Sequence, residues 1–236
     1  MKFNPIKALV VLSGGQDSTT CLYWAMREFD GRVHALTFDY GQRHKAEVNC
    51  AMKIMDNLHK NNPGLHLNHE IVYLGDGILK GTSPLVNQHE QVEMYADAQS
   101  LPGGIEKTFV PMRNTLFLTV AANRAVVAGC DVIVTGVSQE DYGGYPDCRR
   151  EFIELFENTI NSSLDGVARL EIEAPLLYKT KKETVELAME LPGCMDALAY
   201  SHTCYKGENP PCGVCHACLL RAKGFAEAGV IDPLLR

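Results

Sequence analysis

A short apolar run, Ala8 to Leu12, ends in Ser13-Gly14-Gly15-Gln16-Asp17-Ser18, and Leu22, Ala25, Met26 and Phe29 then recur at helical spacing. No other stretch constrains the fold as strongly. A continuous apolar run closed by turn residues reads as a strand buried on both faces. Two glycines let backbone approach an anion with no Cβ in the way. The first N–H groups of the following helix lack partners within it and point toward whatever sits beyond the strand. The pattern is therefore that of a phosphate cradle, and it is not a Walker loop, because no Gly-Lys-Ser/Thr follows. The plain alternative is a strand–turn–helix joint with a Ser or Asp cap. The complete hexapeptide at the end of the first strand favours the cradle.

The rest of the chain repeats this alternation. Strands are expected at 8–12, 33–38, 67–74, 132–135 and 170–172, and helices at 18–29, 44–59, 114–128, around Phe152, Leu155, Phe156 and Ile160, and at 182–190. Residues 114–128 are apolar nearly all round, which predicts a helix buried in the middle of the fold. Alternating strands and helices with continuously apolar strands predict an α/β doubly wound, mainly parallel sheet of five strands. Residues 75–110 break the rhythm with a polar, Gly- and Pro-containing stretch too long for an ordinary connection, so a lid over a substrate is expected there. Composition shifts to Cys, Gly and Pro near Tyr200. The expected division is a body, 1–199, and a C-terminal segment, 200–236, with a final helix.

With 236 residues the chain can bury a full core. No apolar run reaches the roughly 18 residues that cross a bilayer. The apolar stretch after Lys2 is too short for a signal-peptide core. A cytoplasmic protein that does not engage membranes is expected. A net charge of −7 argues against a surface that coats nucleic acid.

Of nine cysteines, five are scattered and four crowd together as Cys204, Cys212, Cys215 and Cys218. An odd count without an export signal favours reduced thiols. Cys-x2-Cys turns place two sulfurs on one ion, and four thiolates make a closed, structural tetrahedral zinc site. A cubane iron–sulfur cluster uses four cysteines as well, a redox disulfide pair is a further rival, and His202 or His216 stands close enough to replace a thiolate. Zinc is the expected occupant.

The Ser-Gly-Gly-x-Asp-Ser loop resembles that of the PP-loop ATP pyrophosphatases, which hold the pyrophosphate end of ATP and release AMP. With Thr37-Phe38-Asp39-Tyr40-Gly41-Gln42-Arg43-His44, Thr108-Phe109-Val110-Pro111-Met112-Arg113-Asn114, Thr135-Gly136-Val137, Gly144-Tyr145-Pro146-Asp147-Cys148-Arg149, Pro175-Leu176, Lys182-Glu183-Thr184 and the cysteine cluster, the chain resembles the 7-cyano-7-deazaguanine synthases of queuosine biosynthesis. Met112 departs from that pattern, which has Gly there. The resemblance implies an adenine nucleotide alpha-hydrolase-like fold and an ATP-dependent ligase. Such an enzyme converts 7-carboxy-7-deazaguanine and ammonia to the nitrile preQ0 through adenylated intermediates, without nucleic acid as partner, and the family tends to form homodimers. A PP-loop tRNA-thiolating enzyme is the alternative of the same fold, and a non-catalytic nucleotide-binding module is the other.

The resemblance implies that Leu12, Ser13, Gly14, Gly15, Gln16, Asp17, Ser18, Thr19, Thr20, Cys21 and Leu22 form the ATP site. Asp17 would hold Mg²⁺ or fix the loop, or simply favour the helix N-terminus. Arg113 at a helix start would meet phosphate or a structural acid. Lys182 would balance phosphate charge or stand in solvent. Asp39, Tyr40 and Arg43 follow the second strand, where an open α/β sheet binds ligands. Each of Tyr40, Arg43 and His44 could meet a base; Arg43 and His44 could equally be solvated helix-start residues. Tyr145, Asp147 and Arg149 share that rim. Asp147 could accept from a guanine-like base or cap a helix, and Arg149 could bind the 7-carboxylate bidentately. Cys148 is expected to be a packed residue, not a nucleophile.

Overall fold

The computed structural model describes residues 6–65, 67–102, 104–139 and 145–235. The five expected strands form β1 (Ala8–Val11), β2 (Val33–Asp39), β3 (Asn68–Tyr73), β4 (Val132–Val134) and β5 (Glu171–Glu173). They lie in the order β3-β2-β1-β4-β5, all parallel. Ala8 stands between Val33 and Val132, so β1 is the central strand. Connections leave it in opposite directions, and this puts the switch point of the sheet at the β1–β4 crevice, where α/β proteins bind ligands.

Period-2 alternation sends β1 side chains to two different cores. Ala8 and Val10 join Leu22 of α1 (Gln16–Glu28), Ile54 and Met55 of α2 (Ala46–Asn61) and Val185 of α5 (Lys181–Glu190). Leu198 of α6 (Cys194–Leu198) and Phe225 of α7 (His216–Glu227) complete that side. Leu9 faces the opposite side, with Leu118 of α3 (Arg113–Ala128) and Ile153 and Phe156 of α4 (Arg150–Ser163). The sheet is thus covered on both faces. Its edges differ from the expected apolar runs: β3 is mostly half-exposed, and β5 carries exposed Glu171 and Glu173 around buried Ile172. An edge strand with charged side chains resists pairing with other chains.

Helix α3 corrects the expectation of burial all round. Leu118, Ala121, Ala122 and Ala125 are buried, but Val127 is 75% exposed. The helix lies on one face of the sheet, so a single stripe suffices to bury it.

The described residues of 75–110 include a 3₁₀ turn, Ala98–Ser100, and are strapped down at several points. Arg43 donates from its backbone to Leu85 O (2.9 Å) and from its guanidinium to Asn87 O (3.1 Å) and Glu90 O (2.6 Å). Tyr95 N–H donates to Val214 O (2.8 Å) beside the cysteine cluster, and Val92 packs among the cysteines. The tail is tied in turn by buried Arg221, which donates to Asp232 (2.6 and 2.8 Å), Ser201 (2.8 Å) and Thr203 (3.0 Å).

Candidate active site

A cavity of about 190 Å³ opens at the switch point. Its floor is the end of β1 and the following loop: Val11, Leu12, Ser13, Gly15, Gln16, Asp17 and Ser18. Three features fit an anion. Helix α1 follows Gly15 with no side-chain cap, so the N–H groups of its first turn, from Gln16 on, are not taken by a capping side chain. Buried Gln16 lines the cavity, and neither its amide oxygen nor its amide nitrogen has a partner. An orphaned buried amide is costly unless a ligand or water completes it. The loop itself is braced: Ser13 N–H donates to Ser18 Oγ (3.1 Å), and Gly15 N–H donates to Ser13 Oγ (3.2 Å).

Gly14 shows why the first of the two positions takes a glycine. Its φ is +91°, and a Cβ there would stand 2.2 Å from Glu47 O and 2.7 Å from Ala51 N in α2. The loop therefore lies directly on the first turns of α2. Its other side is pinned by His202 N–H, which donates to Gly14 O (2.9 Å). Gly14, Thr19, Thr20, Cys21 and Leu22 do not line the cavity; Thr19 to Leu22 are buried within α1, where the hydroxyls of Thr19 and Thr20 donate to Gly15 O and Gln16 O. Burial pushes the Cys21 thiol up, so it stays protonated.

The lysine at the loop is not the expected one. Lys182 is exposed and pairs with Glu186 (3.5 Å) along α5. Lys181, one residue earlier and buried, donates from Nζ to both oxygens of Asp17 (2.7 and 2.6 Å). A step of one residue turns a helix by about 100°, which separates inside from outside. The capping box of Thr180 and Glu183 fixes the start of α5. Helix α7 closes on that turn at Gly224, where a Cβ would stand 2.9 Å from Lys181 O. Each Asp17 oxygen thus accepts a charge-assisted hydrogen bond from Lys181, which fixes the carboxylate beside the loop.

The far wall is aromatic and cationic. Phe38 stacks on Phe117 (4.5 Å between centroids, 11° between planes), and Tyr40 meets Phe117 edge-on. Arg113, at the first position of α3, reaches into the cavity and donates to Tyr40. Burial works against its charge, but Tyr40, Tyr205, Cys148 and Asp147 outweigh it and hold the guanidinium above its ordinary value. Met112, before it, takes a left-handed conformation (φ +64°), the geometry a glycine favours, and its side chain is 63% exposed, away from the cavity.

Tyr145 and Cys148 line the cavity too; burial pushes the Cys148 thiol up to about 12. Four of the residues assigned to substrate are not among those that line the cavity. Asp39 ends β2 and accepts from Gly41 N–H (3.2 Å), forming the turn. Arg43 straps residues 85–90, as described. Asp147 is buried and accepts from Asn114 N–H (3.3 Å), so the helix it caps is α3. Arg149 is exposed at the start of α4. Gly144, which opens the Gly144–Arg149 motif, lies outside the described residues.

Sequence reasoning missed Glu47, Thr203 and Tyr205 as cavity residues. Glu47 carries a signal in the His44-x-x-Glu47 spacing; the other two flank Cys204 and read only as knuckle. The Glu47 side chain is 13% exposed and lies 3.4 Å from His44 Nε2. Burial pushes its carboxyl up to about 8, Asp17 and Cys204 adding to this and Arg113 opposing it. Burial, then Arg113 and His202, pushes His44 down to about 3. The two therefore meet as acid and neutral imidazole, not as an ion pair.

A stability profile follows from linkage. Between about pH 4.5 and 6.5 the folded chain keeps the Glu47 proton and lacks the His44 proton, while the unfolded chain does the reverse, so the pair leaves stability level. Above about 6.5 the folded state binds the extra proton, and stability falls toward pH 8. Below about 4.5 the unfolded state binds the extra proton, and stability falls toward pH 3. Glu47→Gln is expected to abolish the alkaline decline, read as a Tm at pH 8.5 that rises several degrees relative to wild type while the Tm at pH 6 moves less.

The metal centre is separate from the cavity floor. The sulfurs of Cys204, Cys212, Cys215 and Cys218 lie within 4.8 Å of one another, and no disulfide joins them. Neither neighbouring histidine belongs to that group: His202 Nε2 meets Glu208 O (2.9 Å), and His216 Nδ1 pairs with Glu106. The four-thiolate set fits one tetrahedral metal ion.

A protein-family model, described as queuosine biosynthesis protein QueC, matches residues 7–229. The chain belongs to the QueC family. It is 50% identical to the 7-cyano-7-deazaguanine synthase of Chromobacterium violaceum over 230 residues, which cover 97% of this chain and 93% of that protein. It is also 50% identical to the 7-cyano-7-deazaguanine synthase of Gloeobacter violaceus, across 97% of this chain and 95% of that protein. Among solved structures, the U34-tRNA thiolase NcsA from Methanococcus maripaludis with its [4Fe-4S] cluster aligns over 97% of this chain and 74% of its own, at 14% identity and a TM-score of 0.46. That likeness is too distant to bear on function. No described helix is long and apolar enough to cross a membrane.

Proposed function

We propose that this chain is an ATP-dependent ligase that converts 7-carboxy-7-deazaguanine and ammonia to 7-cyano-7-deazaguanine, releasing AMP and pyrophosphate. The observation that carries the reading is the uncapped α1 N-terminus with the unpartnered Gln16 amide, facing a cavity with an aromatic wall and a cation. The names of the relatives support the substrate.

In this reading the phosphates lie against the N–H groups that begin α1 and against Gln16, where a helix N-terminus favours negative charge. Lys181 neutralises Asp17, which would otherwise repel them. A flat heterocycle stacks in the slot of Phe38, Tyr40 and Phe117. Arg113 holds the carboxylate and orients its oxygen toward the α-phosphorus, which turns a poor leaving group into AMP; ammonia displaces it to give an amide. Activation of the amide oxygen in the same way, with loss of AMP, leaves the nitrile. The protein's share is aim and electrostatics. Burial holds the cavity thiol Cys148 protonated.

Zinc is the metal we assign to the cysteines. A tetrahedron with metal–sulfur bonds of about 2.3 Å has sulfurs roughly 3.8 Å apart, and Cys212 and Cys218 stand 3.9 Å apart. A cubane spreads its four thiolates over four irons. A colourless protein with one zinc per chain would support this. Magnesium would arrive with the triphosphate. We also read the protein as cytoplasmic, residues 200–236 as a stapled segment of one body, and the active form as a homodimer, consistent with exposed Val127 and Leu155 on neighbouring helices.

The assay is direct. Protein with ATP, Mg²⁺, ammonium and 7-carboxy-7-deazaguanine is expected to release AMP and pyrophosphate and a product with a nitrile stretch. Release of ADP, or turnover indifferent to the acid, contradicts the assignment.

A further inference from the structure

Four buried side chains run in a line from the metal segment to the cavity. His216, the first residue of α7, pairs through Nδ1 with Glu106 Oε1. Thr108 Oγ1 donates to Glu106 Oε2 (3.2 Å). Tyr145 OH and Thr108 Oγ1 are 2.8 Å apart, and Tyr145 lines the cavity. His216, Glu106, Thr108 and Tyr145 are 6%, 8%, 5% and 4% exposed. Such a chain holds one geometry because no water competes for its members.

The chemistry of the donors sets its direction. A carboxylate only accepts, so the Thr108 hydroxyl hydrogen goes to Glu106. The Thr108 oxygen must then accept from Tyr145, and the phenol hydrogen is committed away from any ligand. What the Tyr145 oxygen offers a ligand is therefore acceptor lone pairs. A ligand edge that meets it must carry an N–H or O–H.

We propose that Glu106 is a positioning residue for substrate specificity: through Thr108 it locks the Tyr145 phenol as a hydrogen-bond acceptor, so that the cavity selects a heterocycle presenting an N–H edge. The inference rests on the ligase reading for the identity of that heterocycle, whose ring and exocyclic amine supply such an edge. His216 ties the orientation of Glu106 to the folded cysteine segment. Residues 75–110 therefore act on the site from behind, since none of their described residues lines the cavity. Gln at position 106 can donate as well as accept, which frees the Thr108–Tyr145 pair to reverse.

The test is a double-mutant cycle on the metal-loaded protein, read as KM for 7-carboxy-7-deazaguanine, KM for ATP, kcat and metal content. Glu106→Gln, Thr108→Val and Tyr145→Phe are each expected to raise the KM for the acid about tenfold, with the KM for ATP and the metal content within twofold of wild type. Because all three act through one hydroxyl, Glu106→Gln in a Tyr145→Phe background is expected to add less than twofold. Additive effects, or an acid KM unmoved by Glu106→Gln and Thr108→Val, overturn the proposal, as does a Glu106→Gln effect that appears only with loss of metal. If Glu106→Gln fails to fold, the Thr108→Val and Tyr145→Phe pair decides alone. A wild-type protein that does not turn over the acid contradicts the ligase reading instead; an active wild type with a failed cycle contradicts only the relay.

Discussion

Lys181→Gln is expected to lower kcat at least a hundredfold, and Lys182→Gln to leave it within twofold. Only the first lysine reaches Asp17, with Nζ within 2.7 Å of both oxygens; the second is half-exposed and shares its charge with Glu186. Gln at 181 removes the cation from a carboxylate beside the loop that must receive phosphate. Two unit charges about 4 Å apart at an effective dielectric near 20 interact by about 4 kcal/mol, and loss of one group that stabilises developing charge typically costs 10²–10³ in rate. Asp17→Asn is expected to have an effect of the same order, and the double variant to be no worse than either single, because the two act as a unit. Steady-state AMP release measures this, with circular dichroism and metal content confirming that each variant is folded. Equal losses at 181 and 182 would remove the ion pair from the account.

Cys215→Ala, the second large effect, is expected to lose the metal, lower Tm by more than 10 °C and abolish ATP binding together. A four-thiolate zinc site contributes apparent binding energy of about 10–16 kcal/mol, as large as the whole stability of an ordinary domain. One kcal/mol moves Tm by about 2–4 °C at this size. The loss reaches the nucleotide because the segment next to Cys204 builds the cavity: His202 N–H pins Gly14 O, and Thr203 and Tyr205 are wall residues. Calorimetric titration with a non-hydrolysable ATP analogue reads the affinity. A metal-free protein that still binds it would reduce the cysteines to a remote clip.

Much of this was legible in the residues. The β1–loop–α1 joint was plain because a buried strand, two glycines and a helix leave few other readings, and the four cysteines were plain because their spacing suits one ion. The sheet followed from alternation, which is a local signal. What was not legible depends on direction. Lys181 and Lys182 are adjacent and alike, and only the rotation of α5 tells which one enters the core. Arg43, Asp39 and Asp147 sit on the ligand rim in sequence, yet backbone groups claim each of them first. Arg149 follows the same rim motif and lies exposed. Glu47 was hidden because a carboxylate near a phosphate loop looks unfavourable until burial is seen to keep it protonated. The outward stripe of α3 could not be read because an apolar helix carries no mark of which face meets solvent.

The central claim is that a carboxylate oxygen bound in this cavity attacks the innermost phosphorus of ATP. Supplying 7-carboxy-7-deazaguanine with ¹⁸O in its carboxylate, together with ATP and ammonium, and weighing the released AMP by mass spectrometry tests it most directly. The account predicts that ¹⁸O appears in AMP from both activation steps. AMP that carries only unlabelled oxygen, formed while the nitrile accumulates, would contradict it.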